Sequence, residues 1–240
     1  MTVRGSLRNA ETFLFCVLCV TGLWGQAGRL LPAPFDDWYS IPYRVVGHFL
    51  IGLLPARLTL EEKLALYQVL EAYVLAFLLP LLLLGSLGLA AAGTGLRRPA
   101  YKGAWVTLVG VLLTLPVGFW LATVTVDPWG SALKEFLQYL SLLPEHFLIF
   151  GVCGALLLPE RRLGWPPRGS QQTASALFAV IATGVIFGLV HIGGPHPEEI
   201  AASFALGLLF ASMTVVSASV WPAIVAHCTL NLIPMAVLPP

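Results

Sequence analysis

Glu145, His191, His227 and Asn231 are polar residues able to do chemistry, set in stretches otherwise composed for lipid. An ionisable side chain at bilayer depth is costly, so it is a candidate functional group by default. A carboxylate takes a proton from water, imidazoles position water or donate hydrogen bonds, and a carboxamide holds an oxyanion. Together they are the parts of a hydrolytic centre. His227 and Asn231 are four residues apart, which places both on one face of a helix. Phe187 and His191 share that spacing.

The elements that must position them follow from composition. The chain has 240 residues, of which 58% are hydrophobic and 10% charged. Its mean hydropathy is +0.85. Soluble domains carry about 25% charged residues, so this is membrane composition. At ~20 residues per crossing the length suits a single all-α transmembrane bundle of about eight spans, over 1–240. A net charge of +1 with no long basic cluster gives no reason to expect a nucleic-acid partner. Apolar runs predict spans near 12–25, 64–91, 103–126, 136–158, 174–192, 199–217 and 219–238. An eighth candidate, 39–55, holds Arg44 and His48 and either crosses or lies in the interface, which would leave seven. Pro80 and Pro116 interrupt two of the runs and predict kinks. Arg4 and Arg8 precede the first run like a signal peptide, but the spans that follow favour an uncleaved helix.

Loop charge predicts orientation. Arg97, Arg98 and Lys102 fall in one loop, and Arg161, Arg162 and Arg168 in another, two spans later. Both loops then lie on one side, which the positive-inside rule makes cytoplasmic. Other polar residues have structural explanations. Thr59 and Glu62 have capping-box spacing, and Pro197, Glu198 and Glu199 read as a helix start. Glu71 has no assigned role. Cys16, Cys19, Cys153 and Cys228 lie in apolar runs and read as small core hydrophobes. His196, in a Gly/Pro-rich loop, reads as solvated.

Glu145 lies in Leu143-Pro144-Glu145-His146-Phe147, too deep in its run to snorkel. Pro144 removes a backbone donor and frees a carbonyl one turn earlier, loosening the helix beside the acid. Non-helical backbone at membrane depth is tolerated where it lines a wet cavity. Consecutive spans run antiparallel, so His191, at the end of its run, reaches the depth of Glu145. Each residue alone has a bland reading: a membrane histidine often makes a helix–helix hydrogen bond, and Asn231 is a common packing polar group. Three of the five histidines and one of the two asparagines fall in these short segments, which favours a cluster.

In order and spacing the pattern resembles the CAAX-protease and bacteriocin-processing family (CPBP, or Abi) of intramembrane peptidases. That family carries Glu-Glu-xxx-Arg-Gly, Phe-xxx-His and His-xxx-Asn on successive helices of an eight-span α-helical core. The matches here are Glu145 with Gly151, Phe187 with His191, and His227 with Asn231, covering a core of about 136–238. His146 stands in place of the second glutamate and Phe150 in place of the arginine. Those sites are four apart, where the family's residues would form an ion pair. Losing both partners leaves no unpaired charge, whereas losing one would cost about 3–5 kcal/mol.

The resemblance implies an integral membrane endopeptidase, in the cell membrane if the source is bacterial. Its partners would be membrane lipid and a membrane-anchored or lipidated substrate, such as a prenylated CAAX tail or a leader. Glu145 would activate water, His191 position it, and His227 and Asn231 stabilise the oxyanion; His146 would orient Glu145 or contact substrate. Zn2+ is a possible cofactor, with Glu145, His191 and His227 as its ligands and a fourth position for water. Two other classes stay open: a catalytically idle scaffold or immunity protein, suggested by His146 and Phe150, and a proton-coupled transporter using the same groups as a relay. Transporters commonly show internal repeats, and none is evident here.

Overall fold

In the computed structural model, the structure describes residues 3–23, 52, 54–99, 102–124, 132–164, 169–192 and 197–237. Nearly all of 39–55, with Arg44 and His48, lies outside these residues, as does His196. The described residues are helical with no strand, as a chain composed for lipid requires: the hydrocarbon core offers backbone groups no outside partner, and a helix satisfies them internally.

The helices are α1 (Val3–Leu23), α2 (Leu60–Glu71), α3 (Leu79–Leu83), α4 (Gly103–Val124), α5 (Ala132–His146), α6 (Gly154–Leu157), α7 (Ser170–Val190), α8 (Pro197–Ser217) and α9 (Trp221–Val237). Two π-helical stretches, Ala72–Leu78 and Phe147–Cys153, join α2 to α3 and α5 to α6 without a break. Among the described residues, five helices are long and apolar enough to cross a membrane: Glu62–Leu83, Gly103–Thr123, Tyr139–Leu157, Ser170–Val190 and Pro197–Ser217. Asn9–Val20 and Trp221–Ile233 are shorter apolar helices. These seven occupy the positions of seven of the eight expected runs. The 64–91 run is helical only to Leu83, because a turn with Gly88 in the left-handed region ends it. Pro116 sits inside the unbroken α4, while Pro80 lies two residues beyond the end of a π-helical stretch.

Outward faces are apolar. Leu82, Trp105, Leu112 and Phe119 are exposed on α3 and α4, the surface a lipid-facing helix presents. Together with five described helices long and apolar enough to cross, this makes the chain an integral membrane protein. Local signals read from the sequence hold. Thr59 Oγ1 accepts from the Glu62 backbone N–H at 3.2 Å, and the Thr59 N–H donates to Glu62 Oε2 at 2.9 Å, closing the capping box. Glu198 and Glu199 lie in the first turn of α8, near its positive end. Glu71 hydrogen-bonds Tyr67 one turn before it, a structural role. The four cysteines are free thiols, Cys16 and Cys153 fully buried against each other.

The basic loops meet at one end of the bundle. Arg97 donates to the carbonyls of Ala218 (3.0 Å) and Leu163 (3.3 Å), while Ser219 Oγ donates to the Arg97 carbonyl at 2.8 Å. Backbone bonds from Leu163 N to Gly93 O (2.9 Å) and from Val220 N to Gly95 O (3.0 Å) complete the clasp. Loops 84–99 and 158–164 therefore share a side, as their charges predict, and the uncharged turn 218–220 joins them there.

In the bundle α7 packs along α8, and α4 along α9. The α7–α8 contact depends on glycine: a β-carbon on Gly207 would lie 2.7 Å from the Gly184 carbonyl oxygen, with no side chain able to yield. Small residues that let backbones approach are the usual basis of helix association in lipid. Gly207→Val is expected to lower stability by about 1–3 kcal/mol or more, read as a fall in the thermal midpoint in detergent. An unchanged midpoint would mean that the two backbones are not so close.

Candidate active site

Glu145 and His146 stand where the chain changes from α-helix to π-helix, just after Pro144 inside α5. Proline has no N–H to bond back along the helix and crowds the preceding turn, and the wider winding follows within a turn of it. Stretches of π-helix recur at functional sites, where they re-aim side chains. Every residue of Phe147–Cys153 is buried. Gly151 lies here because the Thr94 backbone carbonyl occupies the space its β-carbon would need. The loop holding Thr94 thus pins the segment from one side, and the Phe77 ring meets Phe147 edge-on at 4.9 Å from another.

His146 is fully buried. Its Nε2 lies 2.9 Å from Nδ1 of His227 on α9, so the two imidazoles share a hydrogen bond across helices. Phe150 and Phe210 surround the His146 ring at centroid distances of 5.0 and 5.3 Å. Phe210, on α8, stacks on His227 at 5.0 Å and 23°. This explains how the chain accommodates His146 and Phe150 where the resemblance expects an ion pair: an aromatic contact replaces a charged one, and the new imidazole bonds to His227. Phe210 had no spacing signal in the sequence; only packing singles it out from the other aromatics of its span.

One donor atom each from Glu145, His146 and His227 lies within 4.8 Å of the other two. Glu145 Oε1 and His146 Nδ1 are buried with no hydrogen-bond partner. Leaving such groups unpaired costs about 1–3 kcal/mol each, a cost that folds tolerate at sites with a use for the group. The expected metal set was Glu145, His191 and His227. The convergent set instead has His146 in the place of His191. Two imidazoles and a carboxylate are a donor set that suits zinc.

His191 sits at the end of α7, half-buried. Its Nδ1 lies 2.8 Å from the Phe187 carbonyl oxygen. A carbonyl only accepts, so Nδ1 carries the proton and the neutral ring keeps its lone pair on Nε2. The four-residue spacing of Phe187 and His191 is what permits this bond. The Phe187 ring, buried, lies 4.6 Å from His191 and 5.8 Å from His227 by centroids. His191 and His227 therefore both lie against the same aromatic ring, at the border of the cluster. Asn231 follows His227 by one turn of α9 and is half-buried.

Residues 143–233 match a family model described as type II CAAX prenyl endopeptidase, Rce1-like. The matched segment holds all five residues just described, and the similarity is to a family of proteases. No curated protein and no solved structure matches the chain.

Proposed function

We propose that this chain, similar over residues 143–233 to type II CAAX prenyl endopeptidases, is a multi-pass membrane endopeptidase that hydrolyses a peptide bond near the membrane surface. The substrate class is a prenylated, membrane-associated protein tail. The chain works as one transmembrane unit, its catalytic core at about 136–238. The observation that carries the reading is the convergence of Glu145, His146 and His227 within 4.8 Å in the bundle interior.

Glu145 takes a proton from water, whose oxygen then attacks the scissile carbonyl. Its unpartnered Oε1 is the free lone pair that this step needs. His191 directs its Nε2 lone pair at the same water. Nδ1 is tied to the Phe187 carbonyl, so the ring is held in one tautomer and orientation. His227 donates from the nitrogen not shared with His146, and Asn231 from its amide, to the developing oxyanion. Glu145 then passes its proton to the leaving amine. The His146–His227 bond holds the donor ring in place. Zinc, where bound by such a donor set, would supply Lewis-acid polarisation of water and carbonyl.

The direct test is cleavage of a farnesylated CAAX reporter peptide by the purified chain in detergent or nanodiscs. Release of the terminal tripeptide is expected, with little from the same peptide lacking its prenyl group. Absence of any cleavage by well-folded protein over a panel of prenylated peptides would overturn the proposal.

A further inference from the structure

The geometry points to a cation site made of Glu145, His146 and His227, taking one zinc-class divalent ion, with His146 as its third ligand. The inference rests on the same cluster as the proposed hydrolase, but it concerns binding and is tested separately.

Three observations support it. First, the ring nitrogens of His146 and His227 are 2.9 Å apart. Two ligands of a tetrahedral zinc with bonds of 2.0–2.1 Å stand about 3.3 Å apart. A slight opening of the pair therefore exchanges a shared proton for a shared ion. Second, Glu145 Oε1 is buried without a donor, and its helix neighbours offer no positive charge: the position one turn beyond His146 is Phe150. A divalent ion would give this oxygen both a partner and a counter-charge. His146 Nδ1, also buried and unpartnered, offers a second way for that ring to reach an ion.

Third, the surroundings hold the ligands still. Phe150 and Phe210 pack on His146, and Phe210 stacks on His227. Two imidazoles with one carboxylate select zinc or cobalt over magnesium and calcium, which take oxygen ligands and more of them. Glu145 has a second oxygen, so a ligand role leaves one oxygen for the proton of water. His191 keeps its bond to Phe187 and stays outside the ligand set.

The full chain in nanodiscs, stripped with a chelator and dialysed against zinc or cobalt, tests this. One zinc per chain is expected by elemental analysis, and cobalt should give the intense visible bands of a tetrahedral site. His146→Phe, which keeps the aromatic packing, and His146→Gln, which keeps polarity, should each weaken binding at least ~100-fold. His191→Phe should bind as the unaltered chain does. Folded protein that takes up no zinc above a lipid blank overturns the inference, and so does undiminished binding in both His146 variants. Full cleavage by the stripped chain would overturn the metal's part while leaving the hydrolase intact. Zinc bound by a chain that cleaves nothing would do the reverse.

Discussion

Glu145→Gln abolishes cleavage of a prenylated reporter, by at least ~1000-fold, while the protein folds as before or becomes slightly more stable. The amide has the shape of the acid but cannot take a proton, and a positioned general base contributes about 10²–10⁴ in rate. Stability moves the other way. Glu145 holds an unpartnered carboxylate oxygen in the bundle interior, and a neutral amide is cheaper to bury than a charge. Activity and thermal midpoint measured on the same preparation therefore separate this residue from a structural one. A variant that still turns over would remove Glu145 from the chemistry. An unaltered phenotype would favour the idle scaffold.

His227→Phe is expected to lower kcat by roughly 100–1000-fold, the cost of about 2.7–4 kcal/mol seen when one oxyanion donor is lost. The new ring preserves the stack on Phe210, so lost packing is not the cause. It does strand His146 Nε2, whose bond to His227 spans 2.9 Å. A buried polar atom left alone costs about 1–3 kcal/mol of stability. Changing His146 to phenylalanine as well should return most of that stability, because replacing both partners by apolar groups of like shape is nearly neutral. It should return none of the activity. The double-mutant cycle thus has a predicted sign in each readout. Additive losses of stability would show that the two imidazoles do not interact.

Much of the architecture is legible in the chain. Lipid leaves a backbone few options, so long apolar runs become helices, and their positions agree with those described here. The capping box at Thr59 and the acidic start of α8 are local, set by residues within one turn of each other. The two basic loops carry their common side in their charge, and the Arg97 clasp joins them. The depth of Glu145 and the histidines is equally local, because ionisable groups amid apolar residues stand out wherever the helices lie.

Neighbourhood is another matter. Spacing along one helix tells which residues share a face, but not how that helix is rotated against the next. His146 illustrates this: it reads as a substituted support beside Glu145, yet in the fold it faces His227 and completes the tight cluster. His191 reads as an equal member, yet its Nδ1 is taken by the Phe187 carbonyl and it lies outside the tight trio. Phe210 and the Thr94 carbonyl have no signature at all, since their importance comes from being pressed against the site by distant segments. Composition and periodicity by themselves determined a helical membrane protein with polar chemistry at depth. Which imidazole meets which was decided by packing between helices, where a rotation of one residue turns a side chain by about 100°.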